Sequence, residues 1–318
     1  MQFYLAPMQE VTGYVFRNVY HSMFGDMDKY FTPFIAPTQK KILKTREQKE
    51  VMPDNNRGMY VVPQILTNDA NQFLDTCDRL CSLGYSEVNF NLGCPAATVV
   101  SKARGSGFLA DTGRLNRFFE DIFSTLAKKQ KPIKVSVKTR IGIEFPEEFE
   151  DILQIYNQYP IQELIIHPRL QGDLYGNHPN LEVFAEAMMN SIHPVCYNGD
   201  IFMKKDYEIF VKKFPDIERI MLGRGVVANP GLVREILTGQ MITAEELREY
   251  HDRLYTGYRE ALDGERDALF KMKEVWFYLG NMFAGADKFL KKIKKANRTE
   301  EYSAAVNKIF EACIIDKQ

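Results

Sequence analysis

At 318 residues, with 45% hydrophobic and 26% charged side chains, the chain has ordinary globular proportions, which excludes a mainly disordered, collagen-like or coiled-coil protein. Its 41 basic and 42 acidic residues leave a net charge of -1, so a nucleic-acid partner would have to be held by a local patch, not by the overall field. No apolar run approaches the roughly 18 to 20 residues that span a bilayer. The opening Met1-Gln2-Phe3-Tyr4-Leu5-Ala6-Pro7 already reads as a strand, and the five scattered cysteines make no disulfide framework. The expectation is a soluble, cytoplasmic, monomeric protein.

Short runs rich in β-branched and aromatic residues recur in chain order: 3–6, 29–34, 60–65, 87–91, 133–139, 163–167, 194–198 and 219–223. Each is nearly continuous in apolar character and closed by Pro, Gly or a polar residue, as strands of a parallel sheet are. Helical spacing separates them. Phe73, Leu74, Cys77, Leu80 and Cys81 predict one apolar helix face, and Leu115, Phe118, Phe119, Ile122, Phe123 and Leu126 predict another. Eight such units predict a (β/α)8 TIM barrel over residues 1–240; an open doubly wound sheet would more often carry a Gly-rich turn after its first strand. The longest gap between strands falls in 93–113, and long loops in compact domains are usually functional. Beyond Gly239, Thr243-Ala244-Glu245-Glu246 reads as a capping box. From there the spacing predicts a smaller all-helical domain, 241–318, without strands. Lys288, Lys291, Lys292 and Lys295 share one helical face there, which on its own reads equally well as a solvated surface.

In such a barrel, chemistry sits at the carboxyl ends of strands. Those ends read Pro7-Met8, Gln64, Asn91 with Cys94, Lys138 with Arg140, His167 with Arg169, Asn198-Gly199-Asp200 and Gly223-Arg224-Gly225. The last two follow strands seven and eight, where barrels commonly hold a phosphate, although Asn-Gly also makes an ordinary turn. Lys138, if turned inward, would serve an anion or a developing negative charge; Lys134, in register with it, reads as a cap on the bottom layer. His167 suits either a ligand oxygen or a backbone carbonyl. Four cysteines have inert readings, Cys77 and Cys81 on an apolar helix face, Cys196 within a strand and Cys313 in the terminal helix. Cys94 alone falls on a glycine-flanked segment, expected to be mobile, at the functional end. Nothing assigns it a base, so the preferred role is proton donor. Isolated histidines and the absence of H-E-x-x-H or a P-loop argue against a metal site or an NTP site.

With these residues in view, the chain resembles the tRNA-dihydrouridine synthases, FMN enzymes that reduce a uridine in tRNA. The resemblance rests on Ala6-Pro7-Met8, Pro63-Gln64-Ile65, Asn91-Leu92-Gly93-Cys94-Pro95, Gly105-Ser106-Gly107-Phe108-Leu109, Lys138-Thr139-Arg140-Ile141-Gly142, Asn198-Gly199-Asp200 and Gly223-Arg224-Gly225, in that order. It implies that Pro7, Met8 and Gln9 border the flavin ring, that Gln64 and Lys138 meet its polar edge, and that His167, Asn198, Gly199, Asp200, Gly223 and Arg224 hold the ribityl phosphate. It implies further that Cys94 protonates one carbon of the uracil C5=C6 bond while hydride reaches the other, and that Asn91 and Arg140 hold the base. NADPH or NADH would be the reductant. The helical tail would grip tRNA, with Lys291 and Lys295 on its phosphates; Lys40, Lys41, Lys44, Arg46 and Lys49 could add to that surface. Gln9 stands where a small residue is common, Pro168 where Gly is frequent, and Thr32-Pro33-Phe34 lacks the acidic residue often found there. A nearby alternative is another FMN barrel such as a dihydroorotate dehydrogenase, in which the thiol removes a proton. A more distant one is a flavin-free RNA-binding protein on a dead barrel.

Overall fold

A computed structural model describes residues 1–315. Nine short strands form one parallel sheet: β1 (Gln2–Leu5), β2 (Lys29–Phe31), β3 (Val61–Val62), β4 (Gln64–Ile65), β5 (Glu87–Leu92), β6 (Lys134–Thr139), β7 (Leu164–Ile166), β8 (Val195–Tyr197) and β9 (Arg219–Leu222). Their order is β3-β2-β1-β9-β8-β7-β6-β5-β4. The two ends of that order, β3 and β4, are halves of one run split at Pro63, which has no N–H to give the ladder. The sheet therefore comes round on itself as the eight-stranded barrel that the strand pattern predicts. The predicted helix faces form as Ala70–Ser82 and Thr112–Leu126, but Cys81 is exposed where an apolar-face position was expected, while Cys77 is fully buried.

Strand β5 shows how the barrel is filled. Successive side chains alternate sides, so Val88, Phe90 and Leu92 turn outward while Glu87, Asn89 and Asn91 turn inward. Phe90 stacks on Phe118 at 4.7 Å and meets Phe73 edge-on at 5.4 Å, fastening the strand to its covering helices. Tyr4, Ala6, Phe31, Val62, Ile165, Cys196 and Met221 make an apolar layer of the interior. The bottom layer is charged. Lys29 Nζ lies 3.0 Å from Glu87 and 2.6 Å from Glu163, and Tyr4 and Tyr60 donate their hydroxyls to the same two carboxylates. Lys134, expected to cap this end, is exposed instead.

The chain groups into two compact units. One comprises Met1–Pro7, Asp28–Asp200 and Lys213–Met221; the other comprises Met8–Met27, Ile201–Lys212 and the chain from Leu222 on. A division near residue 240 thus falls inside the second unit. There the helix Ala244–Ala261 opens with the predicted box, Thr243 Oγ1 accepting from the Glu246 N–H and the Glu246 carboxylate accepting from the Thr243 N–H. Further helices span Glu265–Leu279, Asp287–Lys295 and Thr299–Ala312. A buried knot joins Ala244–Ala261, Glu265–Leu279 and Thr299–Ala312: Trp276 Nε1 donates to Tyr302 Oη at 2.9 Å, and Tyr302 meets His251 Nε2 at 2.7 Å. The tail is helical except for one two-residue antiparallel pair, Phe283–Ala284 with Ile314–Ile315, where no strand was expected. Asp316 to Gln318 lie outside the described residues.

Candidate active site

The alternation that turns Asn89 and Asn91 inward on β5 does the same for Ser136 and Lys138 on β6 and for Gln64 on β4. Four of these side chains join head to tail. Ser136 Oγ donates to the Val88 carbonyl (3.2 Å) and accepts from Asn89 Nδ2 (3.1 Å). Asn89 Oδ1 accepts from Gln64 Nε2 (2.8 Å), and Gln64 Oε1 accepts from Asn91 Nδ2 (2.7 Å). Asn91 Oδ1 then accepts from the backbone N–H groups of Gly93 (3.1 Å) and Cys94 (3.0 Å). All four side chains are buried, where unmade hydrogen bonds are costly and complete ones rigidify. Gln64 keeps one N–H and one lone pair for a ligand at the strand ends.

The segment carrying Cys94, expected to be mobile, is tied on three sides. Besides Asn91, the N–H and hydroxyl of Ser106 donate to the Cys94 carbonyl at 3.1 and 3.0 Å. Gly105, at φ +57°, approaches so closely that a Cβ would stand 2.6 Å from that carbonyl oxygen, which explains glycine there. Arg140 holds the turn from another direction, donating through Nε to the Gly93 carbonyl (3.1 Å) and through its other nitrogens to the carbonyls of Leu170 (2.5 Å) and Leu174 (2.6 Å). Leu174 is strained at φ 47°, a setting the Arg140 bond sustains. Burial pushes the Cys94 thiol above its ordinary range; the Ala96 N–H and the charges of Arg140 and Lys138 offset this only in part. The thiol therefore keeps its proton at neutral pH. Among the described residues no imidazole or carboxylate is hydrogen-bonded to it, so the geometry suits an acid and not an activated nucleophile.

Lys138 stands level with Asn91 across the β5–β6 ladder. Among the described residues its ammonium has neither an ion-pair partner nor a hydrogen bond. Burial, with the nearby Arg140 charge, pulls its pKa down to about 8. Lys138 and Cys94 thus feel each other's charge, and the ammonium is left without an anion of its own among the described residues.

The sequence profile of the family described as dihydrouridine synthase matches residues 4–314. The chain belongs to that family. It is 26% identical over 242 residues to a tRNA-dihydrouridine(16) synthase of Aquipseudomonas alcaligenes, covering 74% of this chain and 75% of the relative. It is 30% identical over 238 residues to a probable tRNA-dihydrouridine synthase of Staphylococcus aureus, covering 72% and 69%. Solved structures share the fold at low identity. The old yellow enzyme of Trypanosoma cruzi superposes with a TM-score of 0.57 at 9% identity, covering 81% of this chain and 94% of that one. Morphinone reductase gives 0.54 at 12%, covering 76% and 87%.

Seen as a dihydrouridine synthase, the chain also carries groups at later strand ends that support one another. His167 Nε2 lies 2.9 Å from Arg169 Nη1, and Arg169 grips both oxygens of Asp200, at 3.0 and 2.5 Å, while Nε donates to the Asn177 carbonyl at 2.6 Å. Asp200 thus has its charge answered within the protein. Arg169, which the sequence places with His167 at a strand end without giving it a role, is fully buried and central to this cluster. Asn198 Nδ2 donates to the Met221 carbonyl at 2.8 Å, and a Cβ on Gly199 would stand 2.0 Å from Tyr197 Oη, so only glycine fits the following turn. Tyr175, on a loop that the sequence does not mark, is largely exposed, with its ring 5.8 Å from the Arg140 guanidinium carbon and 6.0 Å from the His167 ring. Pro7 is half-buried at the end of the first unit's opening segment.

In the second unit Met8 is half-buried, its N–H donating to Thr12 Oγ1 at 2.8 Å, and Gln9 is exposed. Gly223 begins the short helix Arg224–Ala228, with the Arg224 guanidinium 5.0 Å from the Phe202 ring. Lys288, Lys291, Lys292, Lys294 and Lys295 are all exposed on Asp287–Lys295, whose opposite side buries Phe289 and Ile293. Among the described residues no group of three or more His, Cys, Asp or Glu side chains is placed to hold a metal, and no helix is long and apolar enough to cross a membrane.

Proposed function

We propose that this chain is an FMN-dependent tRNA-dihydrouridine synthase, using NADPH or NADH to reduce the C5=C6 bond of particular uridines, and working as a cytoplasmic monomer. One observation carries the reading: a thiol kept protonated by burial lies within reach of the charge of an unpaired, half-buried lysine in a member of this family. The residues fit a flavin. Lys138 offers a cation, and Gln64 offers one N–H and one acceptor. Bound FMN, once reduced, supplies the hydride. Cys94 then gives its proton to the other carbon of the uracil double bond, with Lys138 holding negative charge at the polar edge of the ring.

Pro7, Met8 and Gln9 border the ring in this reading, and His167, Asn198, Gly199, Gly223 and Arg224 take the ribityl phosphate, with Asp200 holding Arg169 and so His167 in place. Asn91 and Arg140 act on the base mainly by fixing the turn that presents Cys94, since most of their polar atoms are already committed. A thiol that removes a proton, as in a dihydroorotate dehydrogenase, must first become thiolate, which burial disfavours here. Protein incubated with FMN, NADPH and an unmodified tRNA transcript is expected to turn yellow and to form dihydrouridine, detected by mass spectrometry of the digested nucleosides. Colourless protein that takes up no FMN and leaves every uridine intact would return the chain to the flavin-free RNA-binding reading.

The region 241–318 is proposed to grip tRNA through its lysine face. Lys291→Glu with Lys295→Glu leaves the Phe289 and Ile293 packing alone but reverses two charges. Binding of tRNA is expected to weaken, and the slope of log affinity against log salt to fall by about 1.5 if each lysine neutralises one phosphate. An unaltered slope, read from filter binding across a salt series, would make that face an ordinary solvated surface.

A further inference from the structure

We propose that Asn89 and Ser136 are positioning residues for Cys94, acting through a hydrogen-bond chain whose direction is fixed by the backbone N–H groups at its Cys94 end. The proposal rests on the reading of Cys94 as the proton donor. At one end the Val88 carbonyl can only accept, so the Ser136 hydroxyl donates to it and its oxygen is left to accept from Asn89 Nδ2. Asn89 must then present Oδ1 to Gln64 Nε2, and Gln64 must present Oε1 to Asn91 Nδ2. At the other end the N–H groups of Gly93 and Cys94 can only donate, and Asn91 Oδ1 receives both. The Gly93 and Cys94 N–H groups thus assign oxygen and nitrogen to Asn91, and through it to Gln64 and Asn89, while Ser136 closes the chain on the Val88 carbonyl. Turning Gln64 or Asn91 over would set oxygen against oxygen and N–H against N–H at its two neighbours, and turning Asn89 over would set its N–H against that of Gln64 and take the Ser136 hydroxyl from the Val88 carbonyl. The four side chains therefore share a single orientation, and the Cys94 turn inherits it.

Asn89 and Ser136 are wholly buried and sit one inward-facing position below Asn91 and Lys138 on their strands. They are thus a layer beneath any ligand at the strand ends and influence the thiol only through Gln64 and Asn91. Loss of the Asn89 link frees the Gln64 amide to turn over, which would remove the acceptor that orients Asn91 and leave the Gly93–Cys94 turn held by Arg140 and Ser106 alone.

The experiment compares Asn89→Leu, Asn89→Asp and Ser136→Ala with the parent in the FMN-loaded protein. Leucine keeps the volume and removes both bonds. Aspartate keeps an acceptor towards Gln64, and the Ser136 hydroxyl can rotate to donate to its second oxygen. Two readouts are taken: the pH profile of iodoacetamide alkylation at Cys94, resolved by peptide mass spectrometry, and kcat and KM for tRNA. Asn89→Leu is expected to displace the alkylation profile and lower kcat by about 10- to 100-fold with KM nearly unchanged, the loss that follows a misplaced reacting group. Asn89→Asp is expected to restore both towards the parent. Ser136→Ala, which disturbs only the far end, should lower kcat by a smaller factor in the same direction and keeps the test available if the leucine variant does not fold. A parental alkylation profile in Asn89→Leu and Ser136→Ala would overturn the proposal, as would an aspartate variant no better than leucine. A displaced profile with parental kcat would support the link from Asn89 to Cys94 while refuting the acid role of the thiol.

Discussion

Replacing Cys94 by alanine is expected to lower uridine reduction by about 10²- to 10⁴-fold, the usual contribution of a positioned acid, while FMN and tRNA binding persist. The side chain has only the Ala96 N–H to accept from within its loop, a weak bond to sulfur that does little to hold that loop. That work is done by its backbone, through the N–H to Asn91 and the carbonyl to Ser106, and alanine keeps both. The flavin absorbance spectrum and the Kd for tRNA should therefore match the parent, and the deficit should appear in single-turnover reduction of tRNA by the pre-reduced enzyme. The pH dependence follows from the acid role. A donor must carry its proton, so activity should hold on the acid side and decline only as pH rises through a thiol pKa that burial has moved above the ordinary cysteine range. Parental turnover in Cys94→Ala would exclude the assignment, and a rate that rose with alkaline pH would mean that thiolate is the active form.

How much of this was legible beforehand depended on how each residue makes its point. The barrel was readable because the strands are short, rich in β-branched and aromatic residues and closed by a breaker; parallel direction then brings Gln64, Asn91, Lys138 and His167 towards one end, and period-2 alternation turns Gln64, Asn91 and Lys138 inward. Cys94 stood out by its neighbours Gly93 and Pro95. The links among these residues were not readable, because a hydrogen bond between β4, β5 and β6 depends on the stagger of strands that are distant in sequence. Asn89 therefore looked like an ordinary strand residue, and the Lys29, Glu87 and Glu163 layer at the barrel floor passed unnoticed while Lys134 was expected there. Arg140 is the instructive case. Its type and position suggest a base contact, but three of its donors go to the carbonyls of Gly93, Leu170 and Leu174, and loop carbonyls leave no trace in a sequence. Cys81 failed for a simpler reason, since a helix face has edges and the last position of an i, i+4 pair can lie beyond the buried arc.

Lys138→Met should separate what this site contributes to chemistry from what it takes from stability. The ammonium is held among barrel residues without an anion, and its pKa near 8 records that the folded protein resists the charge. Methionine has similar volume and no charge, so the flavin-free variant is expected to melt higher than the parent, by about 2 to 4 °C for each kcal/mol recovered. The sign with pH is fixed. The unfolded lysine titrates near 10.5, so above that pH both states are neutral and the variant gains nothing; the gain grows as pH falls and is complete below about 8, where the folded parent must carry the charge. Added FMN should reverse the order, because only the parent offers a cation to the ring edge. Turnover should fall by about 10²- to 10³-fold, the scale seen when one preorganised electrostatic group is removed. Differential scanning fluorimetry between pH 7 and 10.5, with and without FMN, reads both parts. A variant that melts no higher than the parent at pH 7 without flavin, or that reduces tRNA at the parental rate, would mean that Lys138 is a tolerated interior lysine and that the negative charge of the reaction is held elsewhere.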